Sequence, residues 1–487
     1  MPGAVLCSGT CIAEGQPCTE QCRAGTHDCN GICQPDTDVN GCGASCVPCP
    51  LPVNGAPTCD GVSCGARCNS GFHLCGGECV SNDSPNSCGA SCTPCASPVG
   101  TTAACDGIRC RAECPAGAFF SGDACHIGAT GLGLGLFHGC AVLRDSTLRC
   151  WGANESGQLG DGSISNFSEV PVVVRGLSGA RAVGGGDAFS CALLSDGSVQ
   201  CWGDNQQGQL GIGTSSAGSP LPVRVQGVEG ALSIGVGRAH ACAILLDDSV
   251  RCWGSNNFGQ LGSGTSGQDG SAPLVVASLA GTPVQLAASS GGACAVMSTG
   301  SVQCWGFTPG AGIGSLSAAG ALESIAEVPV EIGVAGARVV AAGYAHYCFV
   351  GSDGGVLCLG DNDSGQLGAG SISTGSVTPL AVQGLGGSRS AALGLGVGFS
   401  CALGSEGSVS CWGDNAVRQL GDASGVSSTT AVAVPGLSGA VALASGGFHS
   451  CVIAADGSVW CWGDASQGRL GGGAEANGMI PVQVVGW

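Results

Sequence analysis

Between Cys140 and Gly471 the same block of apolar and polar positions returns seven times. In its clearest copy the apolar run Ala192-Leu193-Leu194 breaks at Ser195-Asp196-Gly197 and resumes at Val199, ahead of Trp202-Gly203 and Gln209-Leu210-Gly211. Two short apolar runs around a three-residue polar break predict a β-hairpin. Five copies place Gly at the third break position (Gly197, Gly300, Gly354, Gly407, Gly457), where a type I turn followed by a left-handed residue needs φ > 0. The other two hold Ser146 and Asp248. After the Gln-Leu-Gly turn comes a variable loop, then a Pro-Val-x-Val strand as at 222–225, then a further strand running into the next copy. Four strands per unit, units of about 50 residues and seven copies predict a closed seven-bladed β-propeller, since no unit could bury both of its faces alone.

Each copy opens with two cysteines ten apart: Cys140 and Cys150, Cys191 and Cys201, Cys242 and Cys252, Cys294 and Cys304, Cys348 and Cys358, Cys401 and Cys411, Cys451 and Cys461. With a three-residue loop the two members of a pair face each other at a non-hydrogen-bonded site of the ladder, with α-carbons roughly 4.5 Å apart. That spacing is at the short end of what a disulfide accepts, so seven bridges are expected, one per hairpin. Ring closure is expected to use both ends of the repeat region. The last copy stops at the strand Pro481-Val482-Gln483-Val484, which is predicted to complete the blade begun near Ala129.

The order Trp-Gly, Asn-x-x-Gly-Gln-Leu-Gly, Pro-x-x-Val, Gly and His-x-x-Ala-Leu resembles the regulator of chromosome condensation repeat family over roughly residues 129 to 487. The resemblance implies the propeller fold strongly and a function weakly, because one fold hosts unrelated activities.

Residues 1–125 hold 21 of the 35 cysteines and few large apolar residues. Cysteines 22, 29, 33, 42, 46, 49, 59 and 64 recur 46 positions on, which marks tandem units at about 22–67 and 68–113. The overall expectation is therefore all-β, with a disulfide-rich, loop-dominated region at 1–125 and a seven-bladed propeller at 126–487. Such modules resemble those at the front of bacterial secreted and surface proteins. Eight cysteines per unit allow 105 pairings, and spacing does not choose among them. The odd total leaves one cysteine unpaired, through a missing upstream segment or an intermolecular bridge. Zinc at the Cys46/Cys49 and Cys92/Cys95 pairs, beside His27 and His73, is the weaker reading, because the unit has more cysteines than one zinc needs.

The net charge is −19, and all 15 basic residues are arginine. No basic run offers a nucleic-acid footprint, and no stretch reads as a transmembrane span. The cysteine density calls for an oxidising compartment, so the chain is expected outside the cell or on its surface. No export signal opens it, and the true start is expected to lie further upstream. Abundant Gly and Ala without lysine suit a GC-rich bacterial genome.

Few residues carry chemistry. His138, His240, His346 and His449 stand two positions before a blade cysteine, where Phe189, Gly292 and Phe399 replace them. A metal or proton site near the axis is conceivable there, though hydrogen bonding to neighbouring backbone is the expected role. The hairpin-tip acids Asp145, Asp196, Asp247, Asp353, Glu406 and Asp456 resemble sialidase aspartate boxes, yet Asp-Gly is ordinary turn chemistry. Neither a catalytic elbow nor a phosphate loop appears. The sequence therefore predicts no enzyme, no catalytic or metal site and no cofactor. It predicts a monomeric secreted or surface protein that presents the propeller to a protein or glycan partner. Inhibition of a hydrolase is one version of that role, because a β-lactamase inhibitory protein shares this repeat fold. Guanine-nucleotide exchange on a small GTPase is the alternative implied by the family resemblance. The longest variable loop, 314–327, is the expected partner site, with Leu316, Glu323, Ile325 and Glu327 as contacts.

Overall fold

The computed structural model describes residues 4–7, 10–13, 22, 24–29, 32–96, 101–114, 118–121, 124–307, 325–386, 389–474 and 478–486. Contacts divide the chain into two units, Met1–Ala116 with Phe120–Cys125 and Gly117–Phe119 with His126–Trp487.

In the first unit the pairings left open by spacing are resolved. Cys22 bonds Cys33, Cys29 bonds Cys46, Cys42 bonds Cys59 and Cys49 bonds Cys64. The set repeats 46 positions later as Cys68–Cys79, Cys75–Cys92, Cys88–Cys105 and Cys95–Cys110. Cys114–Cys125 starts it a third time. Within each unit every bridge after the first begins inside the loop closed by the one before, so the unit is interlocked rather than merely stapled. The reason is visible in the burial. The buried apolar side chains described here are cysteines (Cys29, Cys42, Cys49, Cys79, Cys88, Cys95), while Leu51, Val53, Val62 and Ile108 lie exposed. Bridges of this kind, each worth roughly 2–4 kcal/mol, replace a core too small to fold alone. His27 and His73 are clamps between loops, bonding Asp36 and Asn82 through Nδ1 and the Ser45 and Ser91 carbonyls through Nε2. Of the five cysteines outside the two tandem units, Cys114 and Cys125 bond each other, while Cys7, Cys11 and Cys18 lie outside the described side chains.

The second unit is seven four-stranded antiparallel sheets, each made of strands consecutive in sequence. Blade 1 comprises Ala129–Leu134, His138–Leu143, Leu148–Ala153 and Phe167–Val173. Blade 7 comprises Ala440–Ser445, His449–Ala454, Val459–Gly463 and the short Val482–Gln483. The first strand of each blade is innermost. Its glycines permit close approach of neighbouring blades: a Cβ on Gly133 would fall on the Val183 carbonyl. The second and third strands form the predicted hairpins. Ser146 and Asp248 take the same left-handed φ, 62° and 63°, as the glycines that replace them elsewhere.

All seven expected bridges are present, and the paired cysteines are register partners with α-carbons 4.0–4.1 Å apart. Behind them, in blades 1 to 6, the ladder shifts register around the Trp-Gly or its equivalent. The glycine there has φ between 88° and 112°, and a Cβ on Gly152 would meet the Phe137 carbonyl. The bulge turns the tryptophan into the seam between blades. Its indole N–H donates to the carbonyl of the Gln-Leu-Gly turn of the preceding blade: Trp202 to Gln158, Trp253 to Gln209, Trp305 to Gln260, Trp412 to Gln366 and Trp462 to Gln419.

The ring closes differently from expectation. Val482–Gln483 pairs with Trp460 and Cys461 of its own blade and does not join the blade begun at Ala129. Blades 7 and 1 meet as the other indole-bonded neighbours do. Trp151 donates to the Arg469 carbonyl at 2.9 Å, Ala129 N–H to Gly457 O at 2.8 Å, and Val484, Leu470 and Ile453 share a core with Leu143 and Trp151. Because each blade is a complete four-strand meander, no strand is left over to exchange.

Candidate functional site

The histidine positions are structural. His138 and His346 are buried and bond through Nε2 to Ser190 and Ser400 of the next blade, at 2.8 and 2.7 Å. The partner is thus a side-chain hydroxyl, not the backbone expected from sequence. Ser190 and Ser400 in turn donate to the Gln158 and Gln366 carbonyls. Where the next blade supplies Ala293 or Gly139, His240 and His449 have no hydroxyl to bond; His240 turns instead to the Gly292 backbone of the next blade, and the ring nitrogens of His449 are buried without a hydrogen-bond partner. At Gly292 the space is filled from the other side, since a Cβ there would lie 2.9 Å from the Tyr347 hydroxyl. Burial lowers His138 and His240 to about 4 and His346 to about 3.

The hairpin-tip aspartates are equally committed. Asp145, Asp196, Asp247 and Asp456 accept from the N–H and hydroxyl two residues on, which closes the turn. The cysteine–histidine groups of the first unit also have structural roles, because Cys46 and Cys49 sit in two separate bridges. Of the four loop residues expected to contact a partner, Leu316 and Glu323 lie outside the described residues. Ile325 opens the outer strand of blade 4 opposite Phe307, and Glu327 accepts from Ser266 Oγ at 2.6 Å.

The structure brings forward a site the repeat pattern hid. In a four-strand meander the first-to-second and third-to-fourth connections lie on one face. The first of these puts one residue per blade around the axis, always four positions before the first blade cysteine: Leu136, Asp187, Arg238, Ser290, Tyr344, Val397 and Gly447. Their N–H groups form a circle, each donating to a carbonyl of the next blade, from Leu136 to Gly186 O round to Gly447 to Gly135 O. The acceptor is either the next rim residue or the residue before it, so the seven backbone positions correspond closely, while the residues they hold are all different. Where the fold uses a position it repeats the residue, as with the cysteines and the Gln-Leu-Gly turns. Here it does not, although the signal lay in the sequence at a fixed offset.

The rim has a polar half and an apolar half. Arg238 donates from Nε to Asp187 at 2.5 Å and from Nη1 to the Tyr344 hydroxyl at 3.1 Å. Burial raises the Asp187 carboxyl above its ordinary value, and the Arg238 guanidinium pulls against that rise. On the opposite side stand Leu136 and Val397, and Phe137, next to Leu136 in sequence, stacks with Phe448 at 6.3 Å. The axial mouth encloses about 110 Å³. Through Asp187, Arg238 and Ser290 it continues into a groove of about 420 Å³ between blades 2, 3 and 4.

Architecture and face together define a disulfide-pinned seven-bladed propeller with a differentiated axial face. Models of the Regulator of chromosome condensation (RCC1) repeat match residues 130–158, 180–209, 232–260, 338–366 and 440–469, and again 148–193, 196–244 and 247–297. The blades are thus similar to RCC1 repeats. The chain is 27% identical over 308 residues to the Ultraviolet-B receptor UVR8 of Arabidopsis thaliana, covering 62% of this chain and 68% of that one. It is 30% identical over 240 residues to the human Probable E3 ubiquitin-protein ligase HERC6, covering 47% of this chain but only 23% of that protein. The structure superposes on Prp20p of Saccharomyces cerevisiae with a TM-score of 0.63 at 18% identity, covering 74% of this chain and 88% of that one, which shows the shared fold. These relatives correct one expectation. The sequence reading excluded an enzyme, yet propellers similar to this one occur in proteins named as ubiquitin ligases, so the fold gives no ground for that exclusion.

Proposed function

We propose that this chain is an extracellular binding module whose axial face receives a protein partner. The observation that carries the reading is the rim: seven corresponding positions, free of the constraints that repeat residues elsewhere, hold seven different residues with a polar and an apolar half. Binding faces combine an apolar patch with placed polar groups in this way. Relatives with the same blades offer precedent, since Prp20p is described by its binding properties to Gsp1p and histones. The extracellular assignment is supported by sixteen bridges among the described cysteines, an arrangement that a reducing cytosol would not maintain. Among the described residues no helix is long and apolar enough to cross a membrane.

The test is capture of partners from culture supernatant and cell-surface fractions, followed by reconstitution with the purified partner. Leu136→Glu and Val397→Arg should abolish that reconstituted binding while leaving the unfolding curve unchanged. Binding that survives both substitutions would move the site off this face.

A further inference from the structure

We propose that the groove running outward from the axial mouth across blades 2 to 4 is a saccharide site, built to take the end of an uncharged glycan. The inference rests on reading the axial face as a binding face, and it names the ligand chemistry of that face.

Three features of the groove agree. The first is unspent planar hydrogen-bonding capacity. Gln207 makes no side-chain hydrogen bond among the described residues. Asn257 uses only its Nδ2, in a long contact of 3.4 Å to Ser255, and Arg238 leaves Nη2 uncommitted. Amide and guanidinium edges of this kind can meet two adjacent hydroxyls at once, each hydroxyl being both donor and acceptor. The second is an apolar plate. Phe258 is 42% exposed at the groove and is held by stacking on Phe307 at 5.2 Å, so its ring can receive the C–H face of a pyranose without first being ordered. The third is charge. The Asp187 and Arg238 groups that join groove and axial mouth are closed on each other, and the Asp204 carboxylate accepts from the Gln206 N–H and from Gln209 Nε2, so the lining carries no net positive charge for an anionic glycan.

A peptide is served less well. The groove walls are turns, so they offer no open strand edge for an added strand, and Phe258 is the one large apolar side chain among those lining the groove. The volume of about 420 Å³ is in the usual range for a small-ligand site. Gln207 and Phe258 occupy the same turn position of adjacent blades, where blades 1 and 5 hold Ser156 and Ser364. Blade 7 repeats the glutamine as Gln467, so the aromatic plate is the choice particular to blade 3, and serine is tolerated by the turn.

Calorimetric titration of the full chain with uncharged tetrasaccharides of glucose, N-acetylglucosamine, mannose and galactose tests the proposal. At least one should bind saturably, and Phe258→Ser should weaken it by roughly tenfold or more while the unfolding curve is unchanged. Gln207→Ser should weaken the same sugar independently. The absence of saturable binding by any of the four, or undiminished binding by Phe258→Ser, overturns the inference. A second arm separates the two sources of such a sugar. If a reconstituted protein partner is lost on enzymatic deglycosylation and restored by the untreated form, the sugar is carried by that partner; if sugar binding occurs but the partner survives deglycosylation, the sugar is a free polysaccharide. A partner that survives both deglycosylation and Phe258→Ser, with no tetrasaccharide bound, rejects the saccharide site and leaves the binding face standing.

Discussion

Acid should loosen the propeller at a pH well above that at which its carboxylates titrate. In the seams after His138 and His346 the serine hydroxyl gives its proton to a glutamine carbonyl, so the imidazole must donate from Nε2. Nδ1 is then the atom that would take a second proton, and in both residues it is buried with no partner to receive the new N–H. Burial accordingly sets His138 and His240 at about 4 and His346 at about 3, against 6.5 when exposed. His449 is also lowered well below 6.5, first by burial and then by repulsion from Arg469 and His138. For groups depressed in the folded state, the stabilisation is whole above 6.5 and is lost as pH falls towards the folded values, because the unfolded chain takes protons the fold refuses. At pH 5 each of the three contributes a loss of about 2 kcal/mol, hence about 6 kcal/mol together, with His449 adding in the same direction. That is a large share of the stability of an ordinary domain. Denaturant unfolding followed by tryptophan fluorescence at pH 8, 7, 6 and 5 measures it. His240→Phe should recover about 2 kcal/mol of the loss at pH 5. Phenylalanine already stands at the equivalent positions of blades 2 and 6, as Phe189 and Phe399. A stability flat from pH 8 to 5, or an unchanged slope in His240→Phe, would refute the reasoning.

The indoles at the seams are not equivalent. Gln158 O receives both Trp202 and Ser190, whereas Gln209 O receives Trp253 alone. Trp253→Phe strands a buried acceptor and should cost about 1–3 kcal/mol more than Trp202→Phe in matched denaturation curves. Native protein unfolded in denaturant without reductant should yield no free thiol from the fourteen propeller cysteines. Full reduction should lower the melting temperature, each ten-residue loop being worth roughly 3 kcal/mol in the chain-entropy account. Removing residues 479–487 should also lower it. The segment contains the outer strand of blade 7, the core residue Val484, and the Gly486 carbonyl that accepts from Arg149; an unchanged melting temperature would show that blade 7 stands without its outer strand.

What could be read from sequence was what is local and repeated. A cysteine pair ten apart around a three-residue turn fixes its own register, so hairpins, bridges and blade count followed from spacing. Ring closure did not, because a repeat of about 50 residues can be cut at any strand, and Pro481–Val484 looks equally suited to its own sheet or to the first. The module pairings were illegible because 105 combinations share one spacing. The rim escaped for the opposite reason. A search for what repeats passes over Leu136, Asp187, Arg238, Ser290, Tyr344, Val397 and Gly447, and only the topology shows that these loop positions ring the axis. Ile325, one of the expected contacts, pairs with Phe307, which supports Phe258 at the groove.

The bridges also indicate where the propeller can yield. Every propeller disulfide joins two strands of one hairpin, so among the described residues none crosses a seam. Individual blades are covalently secured, but the ring is held by indole bonds, shared apolar clusters and the backbone circle at the axis. The seam between blades 4 and 5 departs from this scheme. Leu359 stands where the other blades place tryptophan, so no indole bond can form there. Other contacts take its place. Gln285 of blade 4 bonds both the carbonyl and the N–H of Val340 in blade 5, and Ser290 Oγ donates to the Tyr344 carbonyl at 2.6 Å. Ser290 and Tyr344 are also rim residues, so the seam without an indole is tied by the face proposed to bind. Occupancy of that face should therefore protect this seam more than the others, which hydrogen exchange on blades 4 and 5 with and without a bound partner would register.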